Sequence, residues 1–149
     1  MEEIVNSIDI SKTPEDVFAY ATDFAQFGHW QGSVLSVTQE GSSPVRIGSE
    51  AIVTRRLGPR RVRATEQITE LTPPSSWEVR SLGGAPVTAI AKGKIEPIDG
   101  GSRSRVTISL GFVGHGIGKL LIPLVIRRLA YRQLAQNTAR LKEVLEQTG

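Results

Sequence analysis

The last quarter of the chain constrains the rest more than any other stretch. Residues 116–147 read GIGKLLIPLVIRRLAYRQLAQNTARLKEVLEQ, the one long run of helical periodicity. Leu120, Leu124, Tyr131, Leu134, Thr138, Leu141 and Leu145 share one broad face, while Arg132, Gln136, Arg140, Glu143 and Gln147 fall away from it. At about 1.5 Å per residue the predicted helix is on the order of 45 Å long. A helix with a single wide apolar face needs an equally broad partner to cover it. What precedes it reads mostly as strand, so the expected partner is a sheet that wraps the helix.

The strands follow from two-residue alternation. Ile4, Asn6, Ile8 and Ile10 alternate with Val5, Ser7 and Asp9 as a first strand. Six more are predicted at 33–40, 49–57, 61–71, 76–82, 87–98 and 103–113, separated by GSSP, GP, TPPS, GGAP and DGG, all turn chemistry. Short connections imply an antiparallel meander. Between the first strand and the rest, Thr13 suits a helix N-cap, Pro14 the first helical position, and Glu15 and Asp16 the positive helix end. Asp23 suits the cap of a second short helix through Phe24 and Phe27, ended by Gly28. The expected order is strand, two short helices, six strands, long helix: an α+β fold, with residues 1–149 forming one domain.

The alternation also sorts the faces. Ala51, Val53, Arg55, Leu57, Val62, Ala64, Glu66 and Ile68 form an inner face with two charged exceptions, Arg55 and Glu66. Trp77, Val79, Val87, Ala89, Ala91, Gly93, Ile95, Val106, Ile108, Leu110 and Phe112 also point inward, and Glu78, Arg80, Lys92, Lys94 and Glu96 outward. Ala89, Ala91 and Gly93 take volume out of the concave side. Either another element packs very close there or a cavity is left.

Several chemistries are excluded. With 149 residues and no cysteine, the chain has no disulfide, thiol nucleophile or cysteine metal site. The two histidines, His29 and His115, lack neighbours at metal-ligand spacing, so no metal is expected. GHGIGK lacks the full phosphate-loop spacing, and no Gly-x-Ser-x-Gly elbow occurs. The N-terminus has no apolar segment of signal-peptide type, and the run LLIPLVI is too short to span a bilayer, so a soluble, cytoplasmic protein is expected. A formal charge of +3 permits anionic partners without demanding them. The hairpin RRLGPRRVR carries Arg55, Arg56, Arg60, Arg61 and Arg63 but no interleaved aromatic residue, so nucleic-acid binding is not expected.

The phrases SIDISKTPEDVFAYATDFAQFGHW, VTQEGSSPVRIGSEA, ITELTPPSSWEVRS, IEPIDGGSRSRVTISL and IPLVIRRLAYRQLAQNTARLKEVLE give nearly the whole chain a resemblance to the START-like, or SRPBCC, superfamily, nearest to its polyketide cyclase/dehydrase-like branch. The resemblance implies a helix-grip fold: a curved antiparallel sheet of about seven strands around a long C-terminal helix, with a deep apolar pocket between them. It implies binding of a lipid-, quinone- or polyketide-like molecule, or cyclisation or dehydration of one without a cofactor. Fold alone does not choose among these.

Within that frame Phe27, Trp30, Arg55, Glu66, Trp77, Ala89, Ala91, Leu110, Phe112, Leu124, Arg127 and Tyr131 are the candidate ligand-contacting residues. For Phe24 and Trp77 core packing is the default reading. Arg55 and Glu66 either pair with each other or meet a polar ligand group, because a lone buried charge costs about 3–5 kcal/mol. Arg127 suits a ligand carboxylate or phosphate and Tyr131 a hydrogen bond, unless both belong to a solvated helix face. Glu66 and His115 are the candidates for proton transfer if the chain is an enzyme. A third reading is an accessory or membrane-surface lipid-carrier module using the exposed arginines, as a monomer or homodimer.

Overall fold

The computed structural model describes residues 3–40, 45–57, 59–82, 87–114, 116 and 127–147, without the side chains of Glu40, Leu57, Val87 and Arg127. Seven strands are present: β1 (Ile4–Ile10), β2 (Val34–Glu40), β3 (Glu50–Leu57), β4 (Arg60–Thr72), β5 (Ser76–Leu82), β6 (Val87–Ile98) and β7 (Arg103–Gly114). Two short helices, α1 (Pro14–Ala21) and α2 (Phe27–Trp30), lie between β1 and β2, and the long helix α3 covers Arg127–Gln147. Every neighbouring pair is antiparallel, and the order across the sheet is β1-β7-β6-β5-β4-β3-β2. The expected α+β fold, with a curved antiparallel sheet and a C-terminal helix, is the fold observed.

β2 to β7 run as a meander, as short connections require. β1 instead pairs with β7, Ile4 opposite Leu110 and Ile10 opposite Ser104. β1 and β2 are thereby the two edges of the sheet, and the chain between them must travel its full width. It does so as α1, a 3-10 turn at Phe24–Gln26, and α2. The caps are those expected. Thr13 Oγ1 accepts from the Asp16 N–H at 3.2 Å, and Asp23 Oδ1 from the Ala25 N–H at 3.1 Å. Gly28 does not end the second helix. It lies inside α2, and the Gln31 N–H closes that helix on the Phe27 carbonyl at 2.8 Å. In the β6–β7 turn Asp99, Gly100 and Gly101 have φ of 51°, 71° and 91°, which the sequence Asp-Gly-Gly allows with little steric cost.

α3 presents Leu134, Leu141 and Leu145 to the core, together with two buried polar residues. The Thr138 hydroxyl donates to Asn6 Oδ1 of β1, and Asn137 Oδ1 accepts from the Gly32 N–H at 3.0 Å. The described 21 residues of α3 span about 31 Å. The part of the expected helix at 117–126 lies outside the described residues, and Leu120 and Leu124 with it. Tyr131 departs from expectation. It is 67% exposed, because the buried stripe at that end of α3 runs through Ala130, and Tyr131 stands at its rim. An amphipathic phenol tolerates that position.

Glu78 also departs from expectation. It sits on the outward face of β5 yet is only 6% exposed. A register shift between Ile68 and Glu70 places Thr69 against it, so that the Thr69 hydroxyl donates to the Glu78 carboxylate, and Arg80 Nη2 lies 3.7 Å away.

The far end of α3 is tied to the end of β1 by Glu146. Its carboxylate accepts from Lys142 Nζ at 2.7 Å and from the Ser11 N–H at 2.8 Å. Lys142, followed by the Ser11 N–H, holds this carboxyl below its usual range. The contact therefore stabilises the fold in full above the unfolded-chain value and is lost as the pH falls through the lower folded one. Thermal melts from about pH 6 to about pH 3 should show the Glu146→Gln variant losing less stability on acidification than the parent chain. Parallel curves would mean that this carboxylate does not report on folding.

Candidate functional site

The crossing segment and the sheet do not meet flush. Between them is a small, partly open cavity of about 40 Å³, lined by Ala21, Phe27, Trp30, Gln31, Arg55, Glu66, Trp77, Val79, Ala91 and Ile108. Its roof is the end of α1 with α2, and its floor takes residues from each of β3 to β7. No described residue of α3 lines it. The cavity expected between sheet and C-terminal helix thus lies, among the described residues, beneath the two short helices.

The floor is polar at one place. Arg55 on β3 and Glu66 on β4 are separated along the sheet by the Val53–Ala64 partner pair, so Arg55 extends along the inner face to reach the carboxylate. The contact is bidentate, Nε to Oε2 at 2.9 Å and Nη2 to Oε1 at 3.1 Å. The third guanidinium nitrogen, Nη1, donates to Ser33 Oγ at 3.1 Å. The Glu66 side chain is 11% exposed and that of Arg55 24%, so the pair is largely withdrawn from water. Of the two sequence readings, the two residues pair with each other while also facing the cavity.

The roof contributes a second polar group. Trp30 is 5% exposed, its ring edge-on to Phe27 at 6.0 Å, and its Nε1–H is buried with no hydrogen-bond partner. A buried donor left without an acceptor costs about 1–3 kcal/mol. Trp30 and the Arg55–Glu66 pair line the same cavity.

The small-residue run on β6 is mostly occupied. A Cβ on Gly93 would sit 2.1 Å from Trp77 Cζ2, because the indole of its cross-strand partner lies against the glycine. Trp77 in turn meets Phe18 edge-on at 6.0 Å. Close packing accounts for Gly93, and only Ala91 of the three lines the cavity. Trp77 takes the space that the absent side chain releases, and the cavity among the described residues is about 40 Å³.

The structure therefore brings together Phe27, Trp30, Arg55, Glu66, Trp77 and Ala91. Leu110 and Phe112 pack partly buried against the core, and Ala89, whose N–H donates to Ser81 Oγ, is half-buried; none of the three lines the cavity. Tyr131 points to solvent. His115, Leu124 and the Arg127 side chain lie outside the described residues. Ser33 and Gln31 were not singled out in the sequence. Their position just after the α2 aromatic residues was the available signal, since any residue between α2 and β2 must pass the end of the sheet. A wider groove of about 420 Å³, lined by residues including Lys12, Asp16, Tyr20 and Asp23, lies outside α1. It is the more open to solvent of the two, which weakens every electrostatic contact it offers, and the smaller cavity is the better candidate site.

Residues 1–146 match the family described as polyketide cyclase / dehydrase and lipid transport. No curated protein matches the sequence. Among solved structures, a START superfamily protein from Mycobacterium smegmatis has a TM-score of 0.79 at 11% identity, with 99% of each chain covered. The Zhui aromatase/cyclase from Streptomyces sp. R1128 has a TM-score of 0.79 at 12% identity, covering 97% of this chain and 93% of that one. A conserved protein from Geobacillus kaustophilus has a TM-score of 0.77 at 14% identity, covering 99% and 97%. At these identities the likeness is one of fold.

Two substitutions test the geometry. Gly93→Ala should destabilise the chain by about 2–3 kcal/mol, the upper range for overpacking, because the indole it meets is itself confined. Chemical denaturation measures this, and a change near zero would mean that Trp77 is free to move aside. Glu66→Leu alone should cost about 2–4 kcal/mol by stranding Arg55, whereas Arg55→Leu with Glu66→Leu should cost less than either single change. Additive costs in that double-mutant cycle would show the two groups to be uncoupled.

Proposed function

The chain belongs to the polyketide cyclase / dehydrase and lipid transport family, and on that premise we propose that it binds a small amphipathic molecule, lipid-, quinone- or polyketide-like, in the cavity beneath α1 and α2. The observation that carries this reading is that Trp30, whose buried Nε1–H has no partner, lines the same cavity as the Arg55–Glu66 pair. A carbonyl or hydroxyl oxygen on a ligand would accept from Trp30, and the ligand's apolar body would lie against Phe27, Trp77, Val79 and Ile108. Apolar burial supplies the driving force, about 25 cal/mol per Å², and the polar groups set the orientation.

A cavity of about 40 Å³ has room for a few waters at most. Drug-sized ligands occupy sites of about 300 Å³ or more. Binding of such a molecule thus requires side chains to move, and Trp30 and Trp77, the largest in the lining, are the ones whose displacement frees most volume. A cyclase or dehydratase would ask Glu66 to exchange a proton with the bound molecule. Both Glu66 oxygens already accept from Arg55, so that chemistry would first have to break a charge-assisted contact. Binding is the reading better supported.

The chain's two tryptophans both line the cavity, so intrinsic fluorescence reports its occupancy directly. Titration with a long-chain fatty acid and with a hydroxynaphthoquinone should shift the emission saturably for at least one of them. Trp30→Phe keeps an aromatic ring but removes the donor, and should weaken that ligand about ten-fold, one hydrogen bond's worth, read from the remaining tryptophan. Native mass spectrometry of the purified chain should show an excess mass that is lost on denaturation. No saturable response, together with a clean apo mass, would overturn the proposal.

A further inference from the structure

The outer face of the β3–β4 hairpin carries a second feature, separate from the cavity. Arg56 and Arg61 are direct cross-strand partners, and Arg63 lies on the same face, opposite Thr54. Arg60, at the start of β4, is exposed as the other three are. Among the described residues none of these four arginines makes an ion pair or hydrogen bond. The neighbouring positions on that face are Thr54, Thr65 and Ser36, all uncharged. Like charges directly opposite each other destabilise a sheet. On β7 the arginines are paired, Arg105 with Asp9 at 2.9 Å and Arg103 with Asp99 at 3.2 Å; on the hairpin they are not.

Two exposed leucines flank the arginines. Leu82 is 37% exposed and pairs with no acid; its strand partner is Thr65, two residues along β4 from Arg63. Leu35 is 45% exposed and is the unpaired residue of the β2 bulge, between the partners of Arg55 and Thr54. Guanidinium groups with no partner, set between exposed aliphatic side chains, match a surface that is anionic at its headgroups and apolar just below. A nucleic acid offers the charge but not the apolar layer, and no aromatic side chain stands among these arginines to stack on bases.

We propose that the outer face of the β3–β4 hairpin, through Arg56, Arg61 and Arg63, with exposed Arg60 at the turn and Leu35 and Leu82 beside them, docks the protein on the surface of an anionic lipid bilayer. The proposal does not depend on what the cavity holds, since Arg55, the arginine of this hairpin that lines the cavity, is paired inward with Glu66.

Co-sedimentation with vesicles tests it. The full chain should bind vesicles of phosphatidylglycerol and phosphatidylcholine at low salt, should bind pure phosphatidylcholine vesicles far more weakly, and should release from the anionic vesicles as salt rises. Each arginine near an anionic surface is worth about five-fold in partitioning, so Arg56→Gln, Arg61→Gln and Arg63→Gln together should lower binding about a hundred-fold. The corresponding triple lysine variant keeps the charge and should stay within a few-fold of the parent chain. Removing the Arg56–Arg61 repulsion should leave the melting temperature of the glutamine variant unchanged or higher, which separates lost docking from lost folding. Equal binding by the glutamine variant, no preference for anionic over neutral vesicles, or tighter binding to an oligonucleotide than to anionic vesicles would each overturn the proposal.

Discussion

The pairing of β1 with β7 is the constraint from which the rest of the architecture follows. It puts the first two strands of the chain at opposite edges of one sheet. The segment joining them has no short path, so it must cross the concave side, and it crosses as helices because a backbone leaving one sheet edge must satisfy its own hydrogen bonds on the way. A roof is thereby forced onto the sheet. α3 then covers what the roof leaves open at the β1 edge, held by the Thr138–Asn6 and Asn137–Gly32 contacts. Buried polar contacts of this kind add little net energy but penalise any rotation of the helix that would break them.

A curved sheet under a crossing roof is hard to fill evenly, and this chain fills it with unlike means on its two sides. On the β5–β6 side one large ring lies on a glycine, so that the volume given up by Gly93 is taken by Trp77. On the β3–β4 side the filling is charged. An ion pair inside a protein costs more in desolvation than a well-packed apolar replacement would. Two aliphatic side chains would have served packing alone at least as well. The Arg55–Glu66 pair instead lines the same cavity as Trp30, whose indole N–H has no partner, and that combination is the polar ground on which ligand binding is proposed.

The strands were legible because their alternation and turn chemistry are local. Ala51, Val53, Ile68, Val106 and Ile108 are buried as their parity predicts. The inward position of Arg55 and Glu66 was legible too, but whether they pair with each other or meet a ligand was open in the sequence, and the folded sheet decides for the pair. Glu78 was not legible, because its burial follows from a bulge in the neighbouring strand that no feature of Glu78 announces. Tyr131 was misplaced for a similar reason. Helical periodicity gives the phase of a residue, but which phase is covered depends on where the sheet ends. The fate of Ala89, Ala91 and Gly93 was open in the sequence because small residues state only that volume is missing. Their cross-strand partner decides what takes it, and register is a property of the folded sheet.

Arg55 and Arg56 show how far two-residue alternation alone can divide labour. They are chemically identical and adjacent, and the pleat sends one to each side of β3. The inner arginine has both of its carboxylate contacts and a hydroxyl, and is held in one place. The outer one faces another arginine across the ladder and keeps its full charge for solvent. A glutamate at position 61 would have relieved that repulsion and closed the face. Its absence, on a strand whose inner side is so carefully neutralised, makes the outer charge a property of the surface rather than a residue of poor pairing. One strand end thus presents a fixed polar group to the cavity and a free cationic group to the outside. A single shift of register would exchange them, placing an unpaired arginine in the core.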